Sequence, residues 1–307
     1  MESSADSIAV VVPTLNAATL WPVFQSALAA QTVQPAHVLI IDSSSTDETR
    51  SLAEIAGYRV MPVAREEFNH GGTRQMAANL LSDVEIVVFL TQDAVLAEPT
   101  ALAKLIRVMR SPEVGAAYGR QLPRRGATPI EAHARVFNYP PVSDLRDLSS
   151  RERLGFKAIF ISNSFAAYRR TALLEVGGFP SDVIFGEDTI TAARLLLADW
   201  NIAYVADAQV YHSHSYTWKQ EFERYFDIGV LHSREAWLLR DFGQTRSEGS
   251  RFVISEMKYL LSRAWWMIPS ALIRTGLKLL GYRLGRKETQ LSPAIKRRLS
   301  MQPSFWR

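Results

Sequence analysis

The residues that most restrict the fold are Ile86–Leu90, an unbroken apolar run that leads directly into Thr91-Gln92-Asp93. A short, wholly apolar run bounded by polar residues reads as a strand buried on both faces, the kind found in parallel sheets covered by helices. Such a strand delivers the residues that follow it to the carboxyl edge of the sheet, where open α/β folds hold their ligands. Asp93 is therefore the first carboxylate to test for contact with metal, nucleotide or substrate.

The same unit recurs along the first third of the chain. Ser7–Val12 reads as a strand stopped by Pro13, with Thr14, Leu15 and Asn16 as the loop after it. A helix is expected over 19–31, capped by Thr19 and with Pro22 in its first turn. Residues 37–41 form a second strand ending in Asp42, and a helix starting at Thr46 or Asp47 runs to about Ile55. A third strand over 58–63 leads to Asn69 and a helix over 72–81. The fourth strand, 85–90, is followed by a helix from Pro99 to about Met109. Alternating strands and helices with polar residues at the strand ends predict a parallel sheet with a function on one edge.

Beyond residue 114 the pattern loosens. VGAAYG is a short strand, and 121–157 is irregular and rich in Arg and Pro, with a helix over 129–137. A strand and turn span 160–170, Thr171 caps a helix to Val176, and Gly186-Glu187-Asp188-Thr189 precedes a helix over 189–199. Residues 201–214 read as two short strands separated by a turn. Helices are expected within 217–240 and over 248–266 and 270–285.

Composition narrows the class. With 307 residues, 47% of them hydrophobic, the chain suits one large domain or one domain with an appendage. It has no cysteine, so disulfides and thiolate chemistry are excluded. No uncharged apolar window reaches the length of a bilayer span, and the opening MESSADS lacks the basic start of a secretory signal. A cytoplasmic location is expected. The net charge of +4 hides an asymmetry: residues 251–307 hold 12 Arg or Lys against two Glu, a net +10, so the rest carries −6. A basic tail on an acidic body predicts an anionic partner. A nucleic-acid partner would explain the tail but not the ordered acidic loops, and none is expected.

Five motifs in order resemble the inverting family 2 glycosyltransferases: Pro13-Thr14-Leu15-Asn16, Asp42 with Asp47, Asn69–Arg74, Thr91-Gln92-Asp93 and Gly186–Thr189. The resemblance covers about residues 8–215. FNHGGTRQ and FLTQDA are most similar to bacterial rhamnosyltransferases of polysaccharide assembly. It implies a GT-A fold, with a mostly parallel, Rossmann-like nucleotide-binding sheet and a C-terminal helical extension. The expected division is a catalytic domain over 1–215, with a nucleotide-sugar half to 115 and an acceptor half from 116, and an extension over 216–307.

The resemblance also assigns roles. Pro13, Thr14 and Asn16 belong to the nucleotide loop, and Asp42 accepts the imide N–H of a pyrimidine base. Asp47 reads equally well as a helix cap. Gly71 and Gly72 let backbone approach the diphosphate at a helix start, with Arg74 adding charge. Where the family commonly has two acids, this chain has Thr91 before Gln92 and Asp93. Asp93 then needs help from His212 or His214 to hold Mg²⁺ or Mn²⁺. Thr91 agrees with a deoxyribose donor. Asp188 is implied as the general base that takes the acceptor proton, with Asn163, Glu187 and Trp218 on the acceptor side.

The implied reaction moves L-rhamnose from dTDP-β-L-rhamnose to a lipid-linked glycan; a UDP-hexose donor and a non-catalytic nucleotide- or glycan-binding module are the alternatives. In the tail, AWWMIPSALI is uncharged, and Ile273, Leu277, Leu280 and Leu284 form a helical stripe with Arg274, Lys278 and Arg283 off it. That pattern predicts peripheral attachment to an anionic membrane, at the inner face of the cell membrane. The competing reading is a helix docked on the catalytic domain or a dimer partner, and an oligomer stays open.

Overall fold

The computed structural model describes residues 7–243 and 246–306, so the opening Met1–Asp6 read above lies outside them. The first half alternates as expected: β1 (Ile8–Thr14), α1 (Trp21–Ala29), β2 (His37–Asp42), α2 (Thr49–Ile55), β3 (Arg59–Pro62), α3 (His70–Leu80) and β4 (Ile86–Leu90). A two-residue β5 (Val95–Leu96), α4 (Ala101–Arg107) and β6 (Val114–Leu122) follow. Then come α5 (Pro129–Asn138), β7 (Asp144–Arg146), α6 (Ser150–Leu154), β8 (Phe165–Arg169), α7 (Arg170–Glu175), α8 (Glu187–Leu197) and β9 (Asn201–Tyr211). The chain closes with α9 (Trp218–Arg234), α10 (Ala236–Phe242), α11 (Arg246–Arg263), α12 (Ile268–Gly285) and α13 (Pro293–Leu299).

One sheet carries all the strands, in the order β3-β2-β1-β4-β8-β6-β9-β5, with β7 also paired to β9. The β3-β2-β1-β4 half is parallel throughout. Because β2 and β4 flank β1, their connections diverge there, and the loops after β1 and β4 border a crevice at the carboxyl edge. β8 is antiparallel to β4, so the residues before β8 lie at that same edge. β9 is parallel to β6, and its carboxyl end arrives there too.

Alternation along the strands builds two cores. Ala9, Val11, Leu39, Ile41, Val87 and Phe89 face one side; Ile8, Val10, Val12, Ile40, Ile86 and Val88 face the other. The first core continues into Phe226, Val230, Leu231, Phe242 and Trp306, so packing runs unbroken past residue 215. Among the described residues no helix is long and apolar enough to cross a membrane.

Local chemistry departs from expectation in several places. β9 is one strand rather than two: Val205 pairs with Gly119 and Gln209 with Arg120, so Ala206-Asp207-Ala208 bulges out and the ladder resumes. α1 and α7 begin without side-chain caps from Thr19 or Thr171; their flanking positions are Leu20 and Arg169. Asp47 accepts from the Thr49 amide (3.1 Å) at the start of α2 and from the Ala18 amide (3.0 Å), joining two loops.

α12 is turned differently from the sequence stripe. Arg274 and Lys278 point inward and meet Glu221 at 3.1 and 3.3 Å. Leu284 packs on the core, whereas Leu272, Ile273, Leu279 and Leu280 are exposed. α12 lies tight against α9 because glycine stands at the contact: a Cβ on Gly281 would come 2.4 Å from the Phe222 carbonyl oxygen.

Gly281→Ala should therefore cost about 1–3 kcal/mol through overpacking. Gly276→Ala, where a Cβ meets nothing within 4 Å, should gain about 0.5–1 kcal/mol from helix propensity. Thermal denaturation checks both; equal melting shifts would refute the close α9–α12 approach.

Candidate active site

The geometry begins at the β1/β4 crevice. Gln92 accepts from the Leu15 amide (2.7 Å) and donates to the Leu15 carbonyl (3.0 Å), stitching the two strand-end loops together. Asn16, with φ +49°, accepts from the Thr46 amide (2.8 Å), while its own amide donates to Ser45 (2.9 Å). Asp42 is buried, accepting from the Thr14 hydroxyl (3.4 Å) and the Ser45 amide (3.0 Å). These contacts give the loop residues a shaping role.

A cavity of about 1090 Å³ opens beside this crevice. Pro13, Thr14, Leu15, Ser43, Thr91 and Gln92 form one wall, Arg65–His70 and Arg74 another, Val183 and Ile184 a third, and Met301–Phe305 a fourth. Asp42, Asn16, Gly71 and Gly72 lie outside the lining set. The Gly72 amide donates to the Asn69 side chain (2.8 Å), which caps α3. Gly71 serves a close approach, since a Cβ there would stand 1.8 Å from the Pro180 carbonyl oxygen. The two glycines thus fit α3 to its neighbours.

Arg74 has also found a protein partner. Its guanidinium meets Glu187 at 2.7 Å, with both residues buried. Glu187 in turn accepts from Asn163 Nδ2 (3.2 Å), and Asn163 Oδ1 accepts from the Tyr168 hydroxyl (2.8 Å). Gly186, at φ +79°, turns the chain into α8 and sets Glu187 and Asp188 side by side in its first turn. Asp188 accepts from the Thr189 amide (2.7 Å) and, at 3.4 Å, from the Asn163 amide. Burial, with the charge of Glu187 next to it, pushes the Asp188 carboxyl up to about 6. Asp188 nevertheless keeps some accessible surface. A carboxylate with that affinity can accept a proton near neutral pH.

Asp93, His212 and His214 gather at the same edge, with their ligand atoms within 4.8 Å of one another. The pairing of Val95 with Tyr211 explains this, since it draws the loop after β4 against the end of β9. His212 Nδ1 donates to Gln121 Oε1 (2.9 Å), and Gln121 Nε2 donates to Ser162 (3.0 Å). The remaining ring nitrogen, Nε2, is buried without a hydrogen-bond partner and lies 3.3 Å from Asp93 Oδ1. An imidazole fixed through one nitrogen, with a bare lone pair facing a carboxylate, is a donor set that fits a divalent cation. Burial pushes His214 down to about 4, so its ring is neutral at pH 7 and able to ligate. Two imidazoles favour Mn²⁺ over Mg²⁺, which prefers oxygen ligands.

Trp218 has a different partner. It is exposed at the start of α9, and its indole N–H donates to Ser270 (3.2 Å), tying α9 to α12. Residues missed from the sequence include Gln121, a polar strand-end residue of the kind already sought at β1, β2 and β4. The Met301–Phe305 wall carried no signal, because only the fold brings it to the crevice. His70 also lines the cavity; burial lowers it to about 4 despite the nearby Glu187 charge.

Residues 5–226 match the family described as glycosyltransferase-like family 2. The chain is 44% identical over 300 residues to the O-antigen chain rhamnosyltransferase RfbN of Salmonella typhimurium, covering 97% of this chain and 96% of that protein. It is 45% identical to the O-antigen chain rhamnosyltransferase WbaN of Salmonella anatum, covering 98% and 96%. Among solved structures it resembles a mannosyltransferase from Pyrobaculum calidifontis in complex with GDP-Man and Mn²⁺ (TM-score 0.58, 21% identity, 95% of this chain and 84% of that one). It also resembles S. aureus TarS 1–349 in complex with UDP-GlcNAc (TM-score 0.53, 13% identity, 92% and 91%). The likeness to these structures confirms a GT-A-like α/β fold, and the chain belongs to the family 2 glycosyltransferases.

Proposed function

We propose that this glycosyltransferase moves L-rhamnose from dTDP-β-L-rhamnose to a hydroxyl of a lipid-linked glycan, inverting the anomeric centre. The observation that carries the reading is the convergence on one sheet edge of Asp188 and the Asp93–His212–His214 cluster, beside a cavity large enough for a nucleotide sugar. The sugar and the polysaccharide acceptor follow from the near full-length similarity to O-antigen rhamnosyltransferases.

In this reading the nucleotide enters along Pro13, Thr14 and Ser43, with Asp42 behind them. Asp93, His212 and His214 hold a divalent cation, which supplies positive charge to the donor diphosphate. Asp188 takes the proton from the acceptor hydroxyl as its oxygen bonds to the anomeric carbon. The bond from that carbon to the diphosphate oxygen breaks on the opposite face, and the electron pair leaves with the dTDP. Arg74 is committed to Glu187, so other cations face the leaving group. Arg65 lines the cavity, and the Arg224 guanidinium, 4.1 Å from the Phe185 ring centre, exerts its charge on His70 and His214.

The enzyme works at the cytoplasmic face of the membrane in this proposal. Support comes from Trp265 and Trp266, 68% and 64% exposed, together with outward Leu272, Ile273, Leu279 and Leu280. Clustered aromatic and aliphatic side chains on a basic tail suit an anionic bilayer surface.

Three outcomes are expected. Metal-dependent binding across dTDP-, UDP- and GDP-sugars should favour dTDP-rhamnose, and Asp188→Asn should keep that binding while losing about 10²–10⁴-fold in transfer. A UDP-sugar preference would replace the donor assignment, and unimpaired transfer by the variant would remove Asp188 as base. Gln121→Ala should weaken Mn²⁺ binding roughly 10–100-fold, read by paramagnetic resonance titration; unchanged affinity would count against the His212 site. Trp265→Ser with Trp266→Ser should release the protein from phosphatidylglycerol vesicles, with transfer to a soluble acceptor retained. Undiminished vesicle binding would contradict the membrane face.

A further inference from the structure

The cavity wall formed by Met301–Phe305 comes from the far end of the chain. After α13, these residues line the same cavity as the β1 and β4 loops. They are held there by contacts that reach deep into the fold. Trp306 is buried in the main core, its ring 6.4 Å from Phe226. The Arg234 guanidinium lies 5.1 Å from the ring centres of both Phe305 and Trp306, and the Trp306 carbonyl accepts from Arg297 (3.1 Å). Arg234 is fixed in turn by Glu288 (3.0 Å), which also pairs with Lys296.

The hinge of this arrangement is Asp227. It is fully buried on α9, and its Oδ2 accepts the Met301 amide at 3.0 Å. Its Oδ1 is buried with no hydrogen-bond partner. Ser300 stands beside it and accepts from the Gln302 amide (2.9 Å), which bends the chain toward the cavity. Burial pushes the Asp227 carboxyl up to about 7, so α9 carries a costly acid that none of the transfer chemistry above uses. Its visible contribution is to receive the first residue of the wall.

We propose that the C-terminal segment Met301–Phe305 is part of the donor-binding site, contacting the bound nucleotide sugar, and that Asp227 is the positioning residue that sets it. The inference rests on the cavity being the donor site. Gln302 and Ser304 bring polar groups to the wall, while Met301, Pro303 and Phe305 bring apolar surface, a mixture suited to an amphipathic nucleotide sugar. A chain that lost this wall would leave the donor open to solvent on one side, with its base and diphosphate loops intact.

The test is calorimetric titration of the full-length protein with dTDP and with UDP in the presence of Mn²⁺. Ser304→Trp replaces an exposed wall residue with one that projects into the cavity, and thermal melting checks that the fold is kept. Its nucleotide affinity should fall by about tenfold or more. Asp227→Ala should weaken nucleotide binding, and Asp227→Asn, which still accepts the Met301 amide, should restore most of it. Wild-type protein that binds neither nucleotide would refute the donor-site reading itself. Wild-type binding that Ser304→Trp leaves unchanged would overturn the wall while leaving the donor site in place.

Discussion

The site depends on a buried ion pair that performs no chemistry. Arg74 on α3 and Glu187 on α8 meet with both side chains nearly solvent-free, and Asn163 and Tyr168 extend the contact to β8. Removing one partner of such a pair leaves an uncompensated buried charge, a cost of about 3–5 kcal/mol. The pair ties three separate segments to one point. It also decides the fate of two neighbouring acids. Glu187 is held as a carboxylate, burial opposing and Arg74 prevailing, while Asp188 is pushed upward by burial and by the charge next to it. Glu187 is thereby tied into the fold, and in the proposed reaction Asp188 is the acid left to take the proton.

The candidate metal cluster is assembled on a different principle. Asp93 and the two histidines stand more than a hundred residues apart in the chain, and the two-residue β5 is what joins their loops. Gln121 then holds His212 so that its free nitrogen faces Asp93. The cavity is lined by Arg74 and by Thr91 and Gln92, the residues just before Asp93, so donor, cation and base share one edge of a single sheet in the proposed reaction.

Much of this was legible in the residues. Buried strands such as Val10–Val12 and Ile86–Leu90 announce themselves as apolar runs, and each ends in the polar residues that form the edge. Asp93 stands out by position, after a buried strand, whereas Asp188 and the two histidines are singled out by the family resemblance. Arg74 was harder to read, since a cation beside glycines looks the same whether its partner is a phosphate or Glu187. The bulge in β9 was hidden because Ala-Asp-Ala resembles a turn, and ladder bonds on either side override that local preference. α12 misled for the opposite reason: Arg274 and Lys278 turn inward to Glu221, which no periodicity argument anticipates.

In the proposed reaction Asp188 accepts the acceptor proton with an affinity set by burial and by Glu187. The most direct test is the acid limb of kcat/KM against pH for the wild type and for Glu187→Gln. Below about pH 6 the protonated carboxyl cannot act as base, so the wild-type rate should fall there. Removing the adjacent negative charge favours the ionised form of Asp188, so the limb in Glu187→Gln should move to lower pH. A limb that stays in place or moves upward would contradict the account.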